Sequence, residues 1–188
     1  MKLAIFSSAR SDFGILNNLI LRLKKDKRFN PYLIIGGAHT SKIFGNTINE
    51  IKKINIKKIF LKLKYSNSKE YNILKSAELT LKKSNNILKK TKFDGAVILG
   101  DRYETMLFSF CCLFYKIPII HLSGGSNTEG SIDNIFRFSI SKMARMHLIE
   151  TDFHKKNLLK IGLKKNLYVV GAPALENINY KLKDIRLS

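Results

Sequence analysis

Seven short apolar runs alternate with six stretches of helical periodicity, and this alternation limits the chain to few folds. The runs fall at residues 2–6, 32–35, 56–61, 95–99, 117–122, 147–150 and 167–170. Most are close to continuously apolar, the pattern of a strand buried on both faces. After the first run, Asp12 is expected to cap a helix whose stripe is Ile15, Leu16, Leu19, Ile20 and Leu23. A short helix is expected over 47–53. A long, lysine-rich helix follows over 69–90, with Ile73, Ala77, Leu81 and Leu88 facing inward. An apolar helix over 103–115 and helices over 133–145 and 153–161 complete the pattern. Such alternation predicts an α/β fold, a doubly wound parallel sheet of Rossmann-like type with helices on both faces. No internal repeat or linker divides the chain, so one domain is expected over residues 1–175. Residues 176–188 then form the start of a connection or a tail.

Composition removes several classes of function. At 45% hydrophobic residues, with 12 Phe and 7 Tyr, the chain has the means to bury a core and is not a disordered segment. Cys111 and Cys112 are sequence neighbours, which excludes a disulfide framework and suits a reducing cytosol. The longest apolar-rich stretch, 106–115, is far shorter than the roughly 20 residues of a membrane span. With no targeting segment in evidence, a cytoplasmic protein that does not bind membranes is expected. The net charge of +20 invites a nucleic-acid reading, but 27 of the 34 basic residues are Lys rather than Arg. Residues 22–92 hold 19 basic against 4 acidic side chains, whereas residues 93–150 hold 5 against 6. The charge therefore reads as a solvated lysine surface, and nucleic acid is not expected as a partner.

In a doubly wound sheet, ligands bind beyond the carboxyl ends of the strands. Attention therefore falls on residues 7–12, 36–40, 100–104, 122–131 and 171–173, where glycine and small polar residues gather. Gly100-Asp101-Arg102-Tyr103-Glu104 puts two carboxylates and a guanidinium at one strand end. Asp101 and Glu104 have the spacing of a helix-capping pair, and Asp101 is also placed to meet a substrate. Asp133 and Arg137 lie one helical turn apart, as a surface ion pair or as a carboxylate oriented by the arginine. They follow a glycine pair, Gly124-Gly125, expected to be a flexible loop. His121 ends an apolar strand, as a core histidine or as a ligand contact, and His39 follows Gly36-Gly37-Ala38 in a loop. No His, Cys and Asp grouping has zinc-site spacing, and neither a Gly-x-Gly-x-x-Gly nor a Walker loop is present. No metal or cofactor is expected.

Taken together, the strand-end residues resemble the hydrolysing UDP-N-acetylglucosamine 2-epimerases, in the branch serving sialic-acid and legionaminic-acid synthesis. Ser8-Ala9-Arg10-Ser11-Asp12-Phe13-Gly14 is similar to that branch's opening motif, and Gly37-Ala38-His39 with Phe44-Gly45-Asn46-Thr47 to its second-strand loop. Residues 99–104 match its Leu-Gly-Asp-Arg-x-Glu. Thr128-Glu129-Gly130-Ser131-Ile132-Asp133, then Phe136-Arg137 and 139–143, follow its pattern, as do Val169-Val170-Gly171-Ala172-Pro173 and Leu175-Glu176-Asn177. The matches are in order and span the chain. Two departures stand out. Where the family carries His-x-(Glu or His)-Gly-Gly-Glu, this chain has His121-Leu122-Ser123-Gly124-Gly125-Ser126, and Phe138 stands where the branch has His.

The resemblance implies the N-terminal lobe of a two-lobe, type-B glycosyltransferase-like fold, with the second lobe outside this sequence in a truncated or split gene. It implies a reaction in which the C2 proton is removed, UDP is eliminated and water adds to the glycal, giving the 2-epimer and free UDP. Acid–base carboxylates serve both halves of such a reaction. On this resemblance Asp101 and Asp133 are the candidate carboxylates, with Arg137 orienting Asp133 or binding diphosphate. Arg10, His39, Arg102, Glu104, His121, Gly124, Gly125 and Glu129 would line the substrate cleft. A UDP-sugar, a C-terminal lobe or partner chain, and a second copy in a homo-oligomer are the implied partners. The rival expectation is a non-catalytic lobe that binds sugar nucleotide or serves assembly, since serine replaces both motif residues that can hold a glutamate.

Overall fold

The computed structural model describes residues 1–40, 48–61 and 70–176. Among these residues, seven strands form one sheet: β1 (Lys2–Ser7), β2 (Asn30–Ile35), β3 (Lys57–Phe60), β4 (Gly95–Leu99), β5 (Ile119–Leu122), β6 (Met146–Ile149) and β7 (Leu167–Val169). Every pairing is parallel, in the order β3-β2-β1-β4-β5-β6-β7. The chain steps outward from β1 to β3, then returns to β4 on the other side of β1. That reversal opens a crevice between the carboxyl ends of β1 and β4. The doubly wound α/β expectation is met.

Among the described residues, six α-helices cover the sheet: α1 (Arg10–Lys25), α2 (Ile48–Lys52), α3 (Glu70–Lys90), α4 (Tyr103–Phe114), α5 (Asp133–Met143) and α6 (Asp152–Lys160). On one face, Phe13, Leu16 and Ile20 of α1 and Ile51 of α2 pack on Ile5, Leu33, Ile35, Val97 and Leu99. On the other, α3, α4 and α5 cover Phe6, Ile34, Ile98 and Ile119. There Phe6 stacks on Phe108 with ring centroids 4.8 Å apart. Such a pair contributes about 0.5–1.5 kcal/mol beyond the area it buries.

Two local expectations change. Asp12 is not the N-cap of α1; Ala9 is, and Asp12 sits in the first turn. Its carboxylate reaches back to accept hydrogen bonds from Ser8 N (3.1 Å), Ala9 N (2.9 Å) and Ser8 Oγ (2.8 Å). It thereby satisfies amide donors that the helix start leaves without partners. In α3 the buried positions are Ser76, Thr80, Ser84 and Leu88, spaced by four, while Ile73 is exposed. Small side chains let α3 lie close against α4, where Tyr103 Oη donates to Ser76 Oγ (3.2 Å). Apolar periodicity found Leu88 and the partly buried Leu81 but missed Ser76, Thr80 and Ser84, because that part of the contact face is polar but small. Phe44 to Thr47, Asn177 and the expected tail beyond residue 176 lie outside the described residues.

Candidate functional site

The loops leaving β1 and β2 meet the start of α4. Gly37 has φ of +55°, and a Cβ there would lie 2.5 Å from the Ser8 carbonyl oxygen and 3.1 Å from Glu104 Oε1. Glycine is thus required both by conformation and by space. Glu104 is fully buried, with Arg102 Nε 3.4 Å from its Oε2. Its expected pairing with Asp101 as a helix cap does not occur, because Arg102 and not Asp101 holds the N-cap position of α4, with no side-chain capping bond. His39 is also buried; its Nε2 and Ser7 Oγ are 2.8 Å apart, and its ring meets the edge of Phe13. Burial holds its pKa down to about 4, the nearby Asp12 carboxylate opposing and Arg102 adding to the shift. His39 therefore ties the second-strand loop to β1 as a neutral ring.

The second group surrounds Asp101. This residue follows Gly100 (φ +78°) at the end of β4, beside the crevice. Its Oδ2 accepts from Arg137 Nη2, an ion pair joining the β4 end to α5. Arg137 Nη1 donates to the Ser126 carbonyl (2.9 Å) and to Asn134 Oδ1 (3.1 Å). The arginine is buried, which lowers its pKa while Glu150 opposes the change. Arg137 thus clamps Asp101, the loop before α5 and the helix itself. It is given to Asp101, not to Asp133 as the four-residue spacing suggested. Asp133 lies exposed at the first turn of α5, accepting from Ser131 Oγ at 3.2 Å.

His121 is fully buried behind Gly100. Its Nε2 lies 2.9 Å from the Gly100 carbonyl, to which it can only donate, so Nδ1 accepts from Ser141 Oγ at 3.0 Å. Burial lowers its pKa to about 4, against the opposing Gly100 bond and with a further push from His147. Ser141 and Asn134 were not among the expected site residues. Their signal was available, since positions 134, 137 and 141 form a polar stripe on one helix face.

The glycine pair is packed rather than flexible. A Cβ on Gly124 would sit 3.0 Å from both His121 Nδ1 and Ser141 Oγ. Gly125, at φ +84°, would bring a Cβ to 2.3 Å from the His154 carbonyl in α6, and its own carbonyl accepts from Asn157 Nδ2 (2.9 Å). Gly125→Ala is accordingly expected to cost about 2–4 kcal/mol, combining left-handed strain with overpacking against backbone. The measure is the urea midpoint at unchanged slope; an unmoved midpoint would mean that the loop can retreat from α6.

Arg10 is exposed at the first position of α1, and Glu129 is exposed on the loop before α5. Phe138 does not face the crevice. It lines a groove between α4 and α5 with Met106 and Phe110, on the outer surface of the helical layer. Among the described residues, no three His, Cys, Asp or Glu side chains gather as a metal centre, and no helix is long and apolar enough to cross a membrane. The arrangement offers a carboxylate at the switch point, fixed by a guanidinium, with glycine and serine backbone around it.

The family model described as UDP-N-acetylglucosamine 2-epimerase matches residues 21–188. The chain belongs to this family. Among curated relatives, it is 37% identical over 185 residues to the GDP/UDP-N,N'-diacetylbacillosamine 2-epimerase (hydrolyzing) of Campylobacter jejuni, covering 95% of this chain and 48% of the relative. It is 28% identical over 180 residues to the UDP-N,N'-diacetylbacillosamine 2-epimerase (hydrolyzing) of Legionella pneumophila, covering 94% and 47%. The crystal structure of the Neisseria meningitidis UDP-GlcNAc 2-epimerase bound to UDP-GlcNAc superposes with a TM-score of 0.84 at 19% identity, over all of this chain and 50% of that one. The chain thus spans about half the length of the relatives it matches. Within the epimerase family fold, the crevice described above is the strand-end face of one Rossmann-like unit.

Proposed function

We propose that residues 1–175 are the N-terminal lobe of a hydrolysing nucleotide-sugar 2-epimerase, acting on a nucleoside diphosphate-linked N,N'-diacetylated amino sugar. The observation that carries this reading is Asp101, a carboxylate at the β1/β4 switch point whose Oδ2 is held by Arg137. A placed carboxylate is what removal of the C2 proton, from the carbon that carries the amide nitrogen, requires. The proton leaves C2, the C1–O bond to the diphosphate breaks, and water then adds across the glycal, so substrate plus water gives the 2-epimer and free nucleotide. Asp133, at the start of α5, is the candidate for the second proton transfer. Arg10, Glu129 and the strand-end backbone would contact substrate, while His39, His121, Gly124 and Gly125 support the loops that do so. The diacetylated substrate is favoured by the two hydrolysing relatives named above.

Incubating the chain with UDP-N,N'-diacetylbacillosamine, alone and together with a matching C-terminal lobe, tests the reading through UDP release. Release in the mixture is expected. Absence of release from both preparations, with UDP-N-acetylglucosamine tried as well, would remove the catalytic assignment. Ser123 and Ser126 favour a second reading, in which the lobe binds the nucleotide sugar without turning it over. Calorimetric binding with no UDP release would select that second reading.

A further inference from the structure

The amino-terminal edge of the sheet, at the far end of the strands from the crevice, gathers positive charge. Six connections lead to it from helix to strand, at residues 26–29, 53–56, 91–94, 115–118, 144–145 and 161–166. Each carries a Lys or Arg, and together they hold eight basic residues, all exposed, against two acidic ones, Asp26 and Asp94. The last turns of α1, α2, α3, α5 and α6 add further Lys and Arg. A helix C-terminus favours cations, which accounts for those last turns but not for the connections beyond them. Acids collect at the opposite edge, where Asp12, Asp101, Asp133, Glu150 and Asp152 lie at strand ends or in first helical turns. Among the described residues, charge is thus polarised along the strand direction.

A cavity of about 300 Å³ opens within this basic edge, between the starts of β1, β4, β5 and β6. Its apolar walls are aliphatic: Met1, Leu3, Pro118, Ile119, Ile120 and Met146. Gly95 keeps part of the space open, since a Cβ there would lie 3.2 Å from Leu3 Cδ2. The exposed Arg145 lines the same cavity, and the connections that lead into β4 and β5 carry Lys92 and Lys116. An apolar hollow among exposed cations matches an amphiphile with a negative headgroup, its phosphate over the ammonium groups and its hydrocarbon in the hollow. Nucleic acid fits less well. Single strands bind by stacking their bases on aromatic rings, and this cavity is lined by none. Six of the eight connection cations are Lys, which act as point charges, and Arg28 is already held by Asp26, with Nε 3.0 Å from Oδ1. The acidic edge, repelled by the same negative surface, turns the crevice away from it.

We propose that the amino-terminal edge of the sheet docks this chain on an anionic lipid bilayer, with the cavity against the lipid and the crevice facing away. Such a contact needs no spanning helix, so the expectation of no membrane partner gives way to a peripheral one. It does not depend on the chemistry of the crevice. In vesicle flotation, the full chain should bind phosphatidylglycerol mixed with phosphatidylcholine, ignore phosphatidylcholine alone, and be released by salt. Lys92→Gln combined with Lys164→Gln should weaken binding about 30-fold, at about fivefold per lysine. Lys75→Gln combined with Lys82→Gln removes the same charge from exposed positions earlier in α3 and should weaken it less than about fivefold. The chain has no Trp, so Pro118→Trp at the cavity and Asn127→Trp on the loop before α5 each place a single reporter. Bromine atoms on the lipid acyl chains should quench the first and spare the second. Failure to bind the anionic vesicles at low salt overturns the proposal, as does a Pro118→Trp chain that bound vesicles leave unquenched. Equal weakening by the two lysine pairs also overturns it, because attraction would then follow net charge alone. DNA bound more tightly than the vesicles would overturn it in favour of a nucleic-acid surface.

Discussion

Asp101→Asn should lower the rate of UDP release by at least about 100-fold, the lower end of what a placed acid–base group contributes. The substitution keeps the shape of the side chain and its carbonyl oxygen. Arg137 can therefore still donate to position 101, and it keeps its bonds to the Ser126 carbonyl and Asn134 Oδ1. What disappears is the capacity to take up and return a proton, together with the counter-charge to a buried guanidinium. The second loss is expected to destabilise the lobe by about 1–3 kcal/mol, a penalty visible in a thermal melt. Activity should fall far more than that melt explains. Asp133→Asn should reduce release by a similar factor with little change in melting, because Asp133 is exposed and bonded only within its own turn. Assays on the chain mixed with its C-terminal lobe give the readout; a rate within a few-fold of wild type removes the substituted residue from the reaction.

Acid should begin to destabilise this lobe from about pH 6.5 downward, before carboxylates of ordinary pKa near 4 take up protons. His39 and His121 both have pKa values held down to about 4, chiefly by burial, and His147 is shifted in the same direction. The unfolded chain binds protons at these rings near pH 6.5, whereas the folded chain refuses them until about pH 4. Stability is therefore complete above pH 6.5 and is lost as pH falls toward 4, the unfolded state binding more protons throughout that window. Each of the two rings can remove up to about 3 kcal/mol, a large fraction of the 5–15 kcal/mol that holds a typical domain. Urea midpoints should decline steeply between about pH 7 and pH 5. The ring-proton resonances of His39 and His121 should not titrate over that range while the protein remains folded. A normal titration near 6.5 at either ring would show it open to solvent and remove its share of the loss.

Much of this was written in the local pattern. Each of the seven strands and six helices was legible, within a few residues at the ends, because burial on both faces gives continuous apolar runs and burial on one face gives a stripe of period 3.6. Helix α3 obeyed that logic only at Leu81 and Leu88, since Ser76, Thr80 and Ser84 bury a small polar face that hydropathy does not register. Partnership escaped it more generally. The spacing of Asp133 and Arg137 suggested a local pair, but the partner of Arg137 is Asp101, 36 residues away. The Gly124-Gly125 pair was expected to be a flexible loop and is a wedge against His121, Ser141 and α6. Phe138 looked like a loss at the site and faces outward beside Phe110.

The amino-acid sequence alone determined the α/β class and, through the ordered motifs, the family resemblance, and it pointed to the strand ends as the candidate place for chemistry. Those properties depend on neighbours along the chain, which periodicity and motif spacing report directly. Only the tertiary structure decided that Asp101 is clamped by Arg137 and that His121 lies behind Gly100. Each of these depends on strand order, on β4 returning to lie between β1 and β5. Local pattern fixes which face of an element is buried but leaves open which element it will be buried against.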